Sequence, residues 1–125
     1  MHATLIGLAA VASGAAIGAC LRWGLAIALN GLQPALPLGT LVANLVGGLL
    51  AGAALAWLAR HPELSPAWRL FMTTGFLGGL TTFSTFSAES LGLLMRGEML
   101  AAVVHSAVHL VGSLAAAALG YRLAS

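Results

Sequence analysis

Between Gly75 and Glu89 the chain reads Gly-Phe-Leu-Gly-Gly-Leu-Thr-Thr-Phe-Ser-Thr-Phe-Ser-Ala-Glu. This stretch lies inside an apolar run from Trp68 to Met95, long enough to cross a bilayer. Gly75, Gly78 and Gly79 weaken a helix there, because glycine loses the most backbone freedom and leaves carbonyls uncovered. Hydroxyls at Thr81, Thr82, Ser84, Thr85 and Ser87 follow, then the carboxylate of Glu89. At membrane depth such groups persist only where they face protein or water. The stretch therefore reads as a broken helix lining a pathway. The alternative is a packing device, with Gly75 and Gly79 as a small-xxx-small pair and the hydroxyls bonded to their own helix. That reading leaves Glu89 and the two Phe residues without a role.

A break over Gly78–Thr81 leaves backbone carbonyls without helical donors, and buried carbonyls must be satisfied. Two such breaks meeting at an axis would offer oxygens for a dehydrated monovalent cation. Hydroxyls and water could satisfy them instead. Phe83 and Phe86, three apart, share a helix face. Ring edges carry positive charge, so an edge-on ring meets an anion without trapping it. On spacing alone, core packing is the better reading of this pair. Asn44 is an amide deep in another apolar run, and an unpaired amide in hydrocarbon costs about 4–8 kcal/mol. It needs a helix partner or a ligand, and its two N–H donors suit a small anion. Arg22 lies at similar depth, where it can snorkel to headgroups or draw anions inward. Glu89, if charged, would repel an anion, and is expected to be tied to hydroxyls or an Arg. His105, His109 and Ser113 form one stripe at spacing four, with Ser106 beside it. Two His at this spacing also suit a metal, but no Cys or Asp lies near them in sequence.

These residues need a membrane scaffold to position them. The chain has 125 residues, of which 60% are hydrophobic and 6% charged. Five Arg and three Glu, with no Lys or Asp, cannot keep a soluble domain wetted. One small domain, residues 1–125, is all this length allows. Hydrophobic segments run over about 3–29, 38–59, 68–95 (broken near 78–81) and 99–121. The expected class is all-α with four transmembrane helices. The first segment is read as a retained helix, since no Lys or Arg precedes it and Arg22 interrupts its C-terminal part. The lone Cys20 can form no internal disulfide and reads as a packing residue. A net charge of +2 gives no reason to expect nucleic acid as a partner.

With four crossings, the Asn30–Pro37 and Arg96–Glu98 connections share one side. Arg22, Thr40, Asn44, Ser84, Glu89, His105, Ser106 and His109 all fall in the half of the membrane nearer that side. The other half is almost bare. Two antiparallel copies would supply both halves. Arg60, Arg69 and Arg122 on one side against Arg96 and Arg22 on the other is hardly a topological bias. Insertion in both orientations, as a homodimer with its two-fold axis in the membrane plane, follows as an expectation.

Three motifs resemble the Fluc (CrcB) fluoride channels: Gly75 to Glu89, Gly18-Ala-Cys-Leu-Arg-Trp23, and Gly39-Thr-Leu-Val-Ala-Asn-Leu-Val-Gly-Gly48. The resemblance covers essentially the whole chain. It implies an antiparallel, dual-topology homodimer with two pores. It implies a central Na+ held by backbone carbonyls matching Gly78 and Thr81. It makes Phe83 and Phe86 pore-lining, turns Asn44 toward the permeating ion, and puts Arg22 in an anion vestibule. A polar track in the family matches His105, His109 and Ser113. Tyr and Ser are common at its first two positions, so His at both is a departure that leaves the donors open.

The expected function is a passive fluoride-specific channel in a bacterial plasma membrane, exporting cytoplasmic fluoride for resistance. The expected fluoride pathway comprises Asn44, Phe83, Phe86, Ser113, His109, His105, Thr40, Ser84 and Thr82, with Glu89 a structural neighbour. No Ser–His–acid set and no phosphate loop is present, so no enzyme is expected. A proton-coupled transporter using Glu89, His105 and His109 is one alternative. A non-conducting small membrane partner protein is another.

Overall fold

The computed structural model describes all 125 residues and is entirely helical. Helix α1 is His2–Leu29 and α2 is Leu38–Ala59. A composite limb over residues 66–80 follows: α3 (Pro66–Leu70), a π-helical stretch (Phe71–Leu77) and α4 (Gly78–Leu80). Helix α5 is Phe83–Met95 and α6 is Met99–Ala124. Three helices, α1, α2 and α6, are long and apolar enough to cross a bilayer, with mean hydropathies of 2.0, 1.9 and 1.7. The limb and α5 together form the fourth, bent element. Only 18 of 125 residues are buried, while Leu100, Val111 and Leu114 expose most of their side chains. So large an apolar surface belongs against lipid or another chain.

The chain bends later than the glycine run suggests. Gly78–Leu80 is still a helical turn; the extended residues are Thr81 (ψ 155°) and Thr82 (φ −148°, ψ 121°). The reason is the capping chemistry around them. Thr82 Oγ1 accepts the Thr85 N–H at 3.1 Å and opens α5 as its N-cap. Thr81 Oγ1 donates back to the Leu77 carbonyl at 2.9 Å and closes the limb.

Gly75 and Gly79 serve instead as a packing face. They meet Gly14 and Gly18 of α1, and a Cβ on Gly14, Gly18 or Gly79 would collide with backbone across the contact. Gly52 and Gly120 bring α2 and α6 together in the same way. Such contacts need no hydrophobic driving force, which lipid would not supply.

Side chains also finish the helix ends. Asn30 Oδ1 accepts the Gly39 N–H at 2.7 Å and the Thr40 N–H at 3.2 Å, capping α2 from outside it. Arg69 donates to the Leu58 carbonyl at 3.2 Å and the His61 carbonyl at 2.6 Å, closing the other end of α2. In that turn a backbone hydrogen bond, and then His61 at 2.9 Å, hold the exposed Glu63 carboxyl below its usual range. Gly97, at φ +75°, makes the left-handed turn into α6.

Candidate functional site: a polar track beside the helix break

Asn44 sits at the junction of the break and the track. Its Oδ1 accepts the Thr82 N–H at 2.7 Å, and its Nδ2 donates to the Thr82 carbonyl at 3.0 Å. This pair of bonds mimics a strand ladder and holds Thr82 extended. The same Nδ2 lies 3.0 Å from His109 Nδ1 on α6. One amide thus ties α2 to the break and to α6.

From His109 the track runs toward the Arg96–Glu98 turn. His109 and His105 are one helical turn apart, with ring centroids 4.5 Å apart. His105 is fully buried, its Nε2 3.0 Å from Glu89 Oε2 and its Nδ1 2.8 Å from Ser90 Oγ. Ser90 Oγ also lies 3.1 Å from Ser106 Oγ. Glu89 Oε1 accepts the Thr40 hydroxyl at 2.6 Å. Glu89 is thus tied to a hydroxyl and an imidazole, and no Arg reaches it. Phe86 covers the imidazoles, stacked on His105 at 5.5 Å and tilted on His109 at 4.9 Å.

Phe83 is different. Its ring centroid is 5.4 Å from that of Phe86, but its side chain is 73% exposed on the protomer surface. Both rings border an open groove of about 970 Å³ that continues past Asn44, Thr82, His109 and Ser113. The groove reaches Leu58 and Arg69 near the opposite end of the bundle. Ser84 is exposed, with its Oγ 3.4 Å from Thr82 Oγ1. The structure therefore brings Asn44, Thr82, Phe83, Phe86, His109 and Ser113 to one groove. Thr40, Glu89 and His105 form a buried network behind Phe86.

Arg22, expected at an anion vestibule, also has a structural partner. Its Nε donates to the Gly79 carbonyl at 3.0 Å, so it caps the limb from α1. Gly78 and Thr81 are left over. The Thr82 N–H that would have served the Gly78 carbonyl goes to Asn44, and the Thr85 N–H that would have served Thr81 goes to Thr82 Oγ1. Neither carbonyl keeps its helical donor, and Gly78 lies exposed on the protomer surface. Oxygen atoms without donors are what a hard monovalent cation needs, so these two residues fit Na+.

Glu89, His105 and His109 each bring a ligand-type atom within 4.8 Å of the others. This carboxylate was not visible from spacing along α6, because Glu89 comes from α5. Yet Glu89 and His105 already satisfy each other and the surrounding hydroxyls, so the cluster holds together as a hydrogen-bond network. Ser90 and Ser106 complete it; the sequence placed Ser106 beside the α6 stripe but gave neither serine a role.

Residues 9–121 match the family model described as CrcB-like protein, Camphor Resistance (CrcB). The chain belongs to the CrcB family. It is 56% identical over 119 residues to a protein of Aromatoleum aromaticum named fluoride-specific ion channel FluC, covering 95% of this chain and 91% of that one. It is 57% identical over 121 residues to the protein of that name from Cupriavidus pinatubonensis, covering 94% and 96%. A Ralstonia pickettii protein with the same name is 54% identical over 116 residues, covering 93% of this chain and 92% of its own length. These relatives are named as ion channels, not enzymes. The CrcB chain described above is accordingly a multi-pass membrane protein, with its polar track inside the helical bundle.

Proposed function

We propose that the chain is a fluoride-specific channel, passive in mechanism, that lets cytoplasmic fluoride leave a bacterium through its plasma membrane. The observation that carries the proposal is the groove in which polar groups and aromatic rings come together: Asn44, Thr82, His109 and Ser113 beside Phe83 and Phe86. A small, strongly hydrated anion exchanges its water for hydroxyl and N–H donors there. Ring edges accept it without holding it, so that exit stays fast. The names of the relatives at 54–57% identity support the choice of fluoride.

The working unit in this reading is an antiparallel, dual-topology homodimer with two pores. Two features support it. Phe83 and Gly78 are exposed beside the helix break, and the Gly78 carbonyl has lost its helical donor, which lipid cannot replace. The polar track occupies one half of the bilayer, and an inverted copy would supply the other half. The carbonyls of Gly78 and Thr81, from both copies, would hold Na+ at the axis. When bound, that ion supplies a fixed positive charge which ties the two breaks together. Thr40 and His105 act indirectly. They keep both oxygens of the Glu89 carboxyl engaged beside Phe86.

The experiment is fluoride efflux from liposomes holding only this protein, with and without an imposed pH gradient. Passive efflux indifferent to the gradient is expected. Efflux that stops without a gradient, with protons moving in fixed ratio, would mean a proton-coupled transporter. No efflux at all would mean a non-conducting partner protein.

A further inference from the structure

We propose that a cleft between α2 and the bent limb binds one acyl chain of an anionic phospholipid, with the lipid phosphate on Arg60. The cleft is a second groove, of about 340 Å³, and its wall is wholly apolar. Leu50, Ala53 and Trp57 come from α2, and Phe71, Met72 and Phe76 from the limb. Ala54 and Leu77 line both this groove and the one at Phe83, and so form the wall between them. A second copy seated over Phe83 and Gly78 therefore does not by itself fill this one.

Depth favours a lipid tail as the occupant. At 1.5 Å per residue, Leu50 lies about 14 Å from the Ala59 end of α2. That is half of a hydrocarbon core of ~30 Å. The groove thus descends from the membrane surface to the mid-plane, the depth of one leaflet. Trp57, with its ring centroid 4.4 Å from that of His61, stands at the upper rim, where an interfacial tryptophan belongs.

Charge selects the headgroup. Arg60 follows α2 one turn beyond Trp57 and is exposed. Its guanidinium donates to the carbonyl of Ala124, and Ala124 also lines the groove, so the cation sits at the groove mouth. That carbonyl is neutral, and Arg60 has no carboxylate partner. The ion pairs of the protein are His61–Glu63, Arg96–Glu98 and His105–Glu89. Glu63, the one acid in the same turn, is engaged by His61 at 2.9 Å. An apolar groove one leaflet deep, topped by an unneutralised guanidinium, matches a lipid tail and its phosphate, and the planar N–H donors of arginine suit phosphate oxygens.

The test reads lipid contact at Trp57 by fluorescence. Trp23→Phe with Trp68→Phe removes two exposed rings and leaves Trp57 as the only tryptophan. The protein is reconstituted in phosphatidylcholine vesicles. These carry an equal fraction of chain-brominated phosphatidylglycerol or chain-brominated phosphatidylcholine, and bromine quenches a tryptophan it touches. Quenching is expected from both lipids. The apparent affinity for phosphatidylglycerol is expected to be about 5-fold higher, the contribution of one basic residue at an anionic surface. Arg60→Gln is expected to remove that preference and Arg60→Lys to keep most of it. Arg122→Gln removes the same charge from the same end of the bundle, at a residue outside the groove, and is expected to leave the preference unchanged.

Equal quenching by the two lipids with Arg60 in place would overturn the proposal, as would a preference that survives Arg60→Gln. A Trp57 quenched by neither lipid would mean that protein, a second copy included, covers the groove, and the proposal falls. The readout involves no transport, so it is decided separately from the fluoride reading above.

Discussion

Glu89 is a carboxylate at membrane depth, and Thr40 is the residue that makes it tolerable there. The 2.6 Å bond from the Thr40 hydroxyl satisfies one carboxylate oxygen, and His105 satisfies the other. Thr40→Val keeps the shape and removes the donor. It is expected to cost about 1–3 kcal/mol, the penalty for stranding a buried acceptor. The measurement is thermal unfolding in detergent; an unchanged midpoint would mean that water replaces the hydroxyl. At this scale the sequence was partly legible. A carboxylate among hydroxyls at membrane depth needs partners, and burial alone says so. Which partners it takes depends on α2, α5 and α6 meeting, and no spacing along one helix contains that. Asn44 shows the same limit. Its depth announced a buried partner or a ligand, but only the Thr82 peptide and the His109 ring show how its atoms are spent.

The bent element depends on donors borrowed from its neighbours. Arg22 of α1 holds the Gly79 carbonyl, and Asn44 of α2 holds Thr82. Arg22→Ala is therefore expected to lower unfolding stability by about 1–3 kcal/mol. An arginine that only gathers anions would behave otherwise. Its loss would slow efflux most at low salt and leave unfolding unchanged. A second prediction concerns the packing of α1 on the limb. Gly79→Val drives its side chain into the backbone of Ala15 and is expected to yield aggregated protein. Gly24→Ala, in open space on α1, is expected to be tolerated or to stabilise the helix by up to about 1 kcal/mol. Size-exclusion profiles of the two variants compare them directly. That a helix breaks here was legible from glycine and hydroxyl composition. Its position after Leu80 was not, because Gly75 and Gly79 are used for close approach and the break is set by Thr82 capping. The π-helical stretch Phe71–Leu77 had no signal of its own in the sequence.

For the whole molecule, the near balance of arginines between the two sides predicts insertion in both orientations. Gln33→Cys in a Cys20→Ala background places one thiol in the Asn30–Pro37 connection. It is expected to react with a membrane-impermeant reagent from both faces of the cell membrane. Labelling from one face only would remove the antiparallel dimer and, with it, the proposed axial Na+ site. The all-helical membrane class could be read from a composition only 6% charged together with four apolar runs long enough to cross a bilayer as helices. The assembly could be argued from polar residues crowded into one half of the bilayer, from the balance of arginines and from the family resemblance, and a single protomer does not contain its partner. The central claim concerns selectivity. Its most direct measurement is fluoride efflux compared with chloride efflux from the same liposomes, at matched gradients and protein density. Efflux of fluoride with chloride retained in the vesicles is the result predicted; chloride leaving as fast as fluoride would contradict the account.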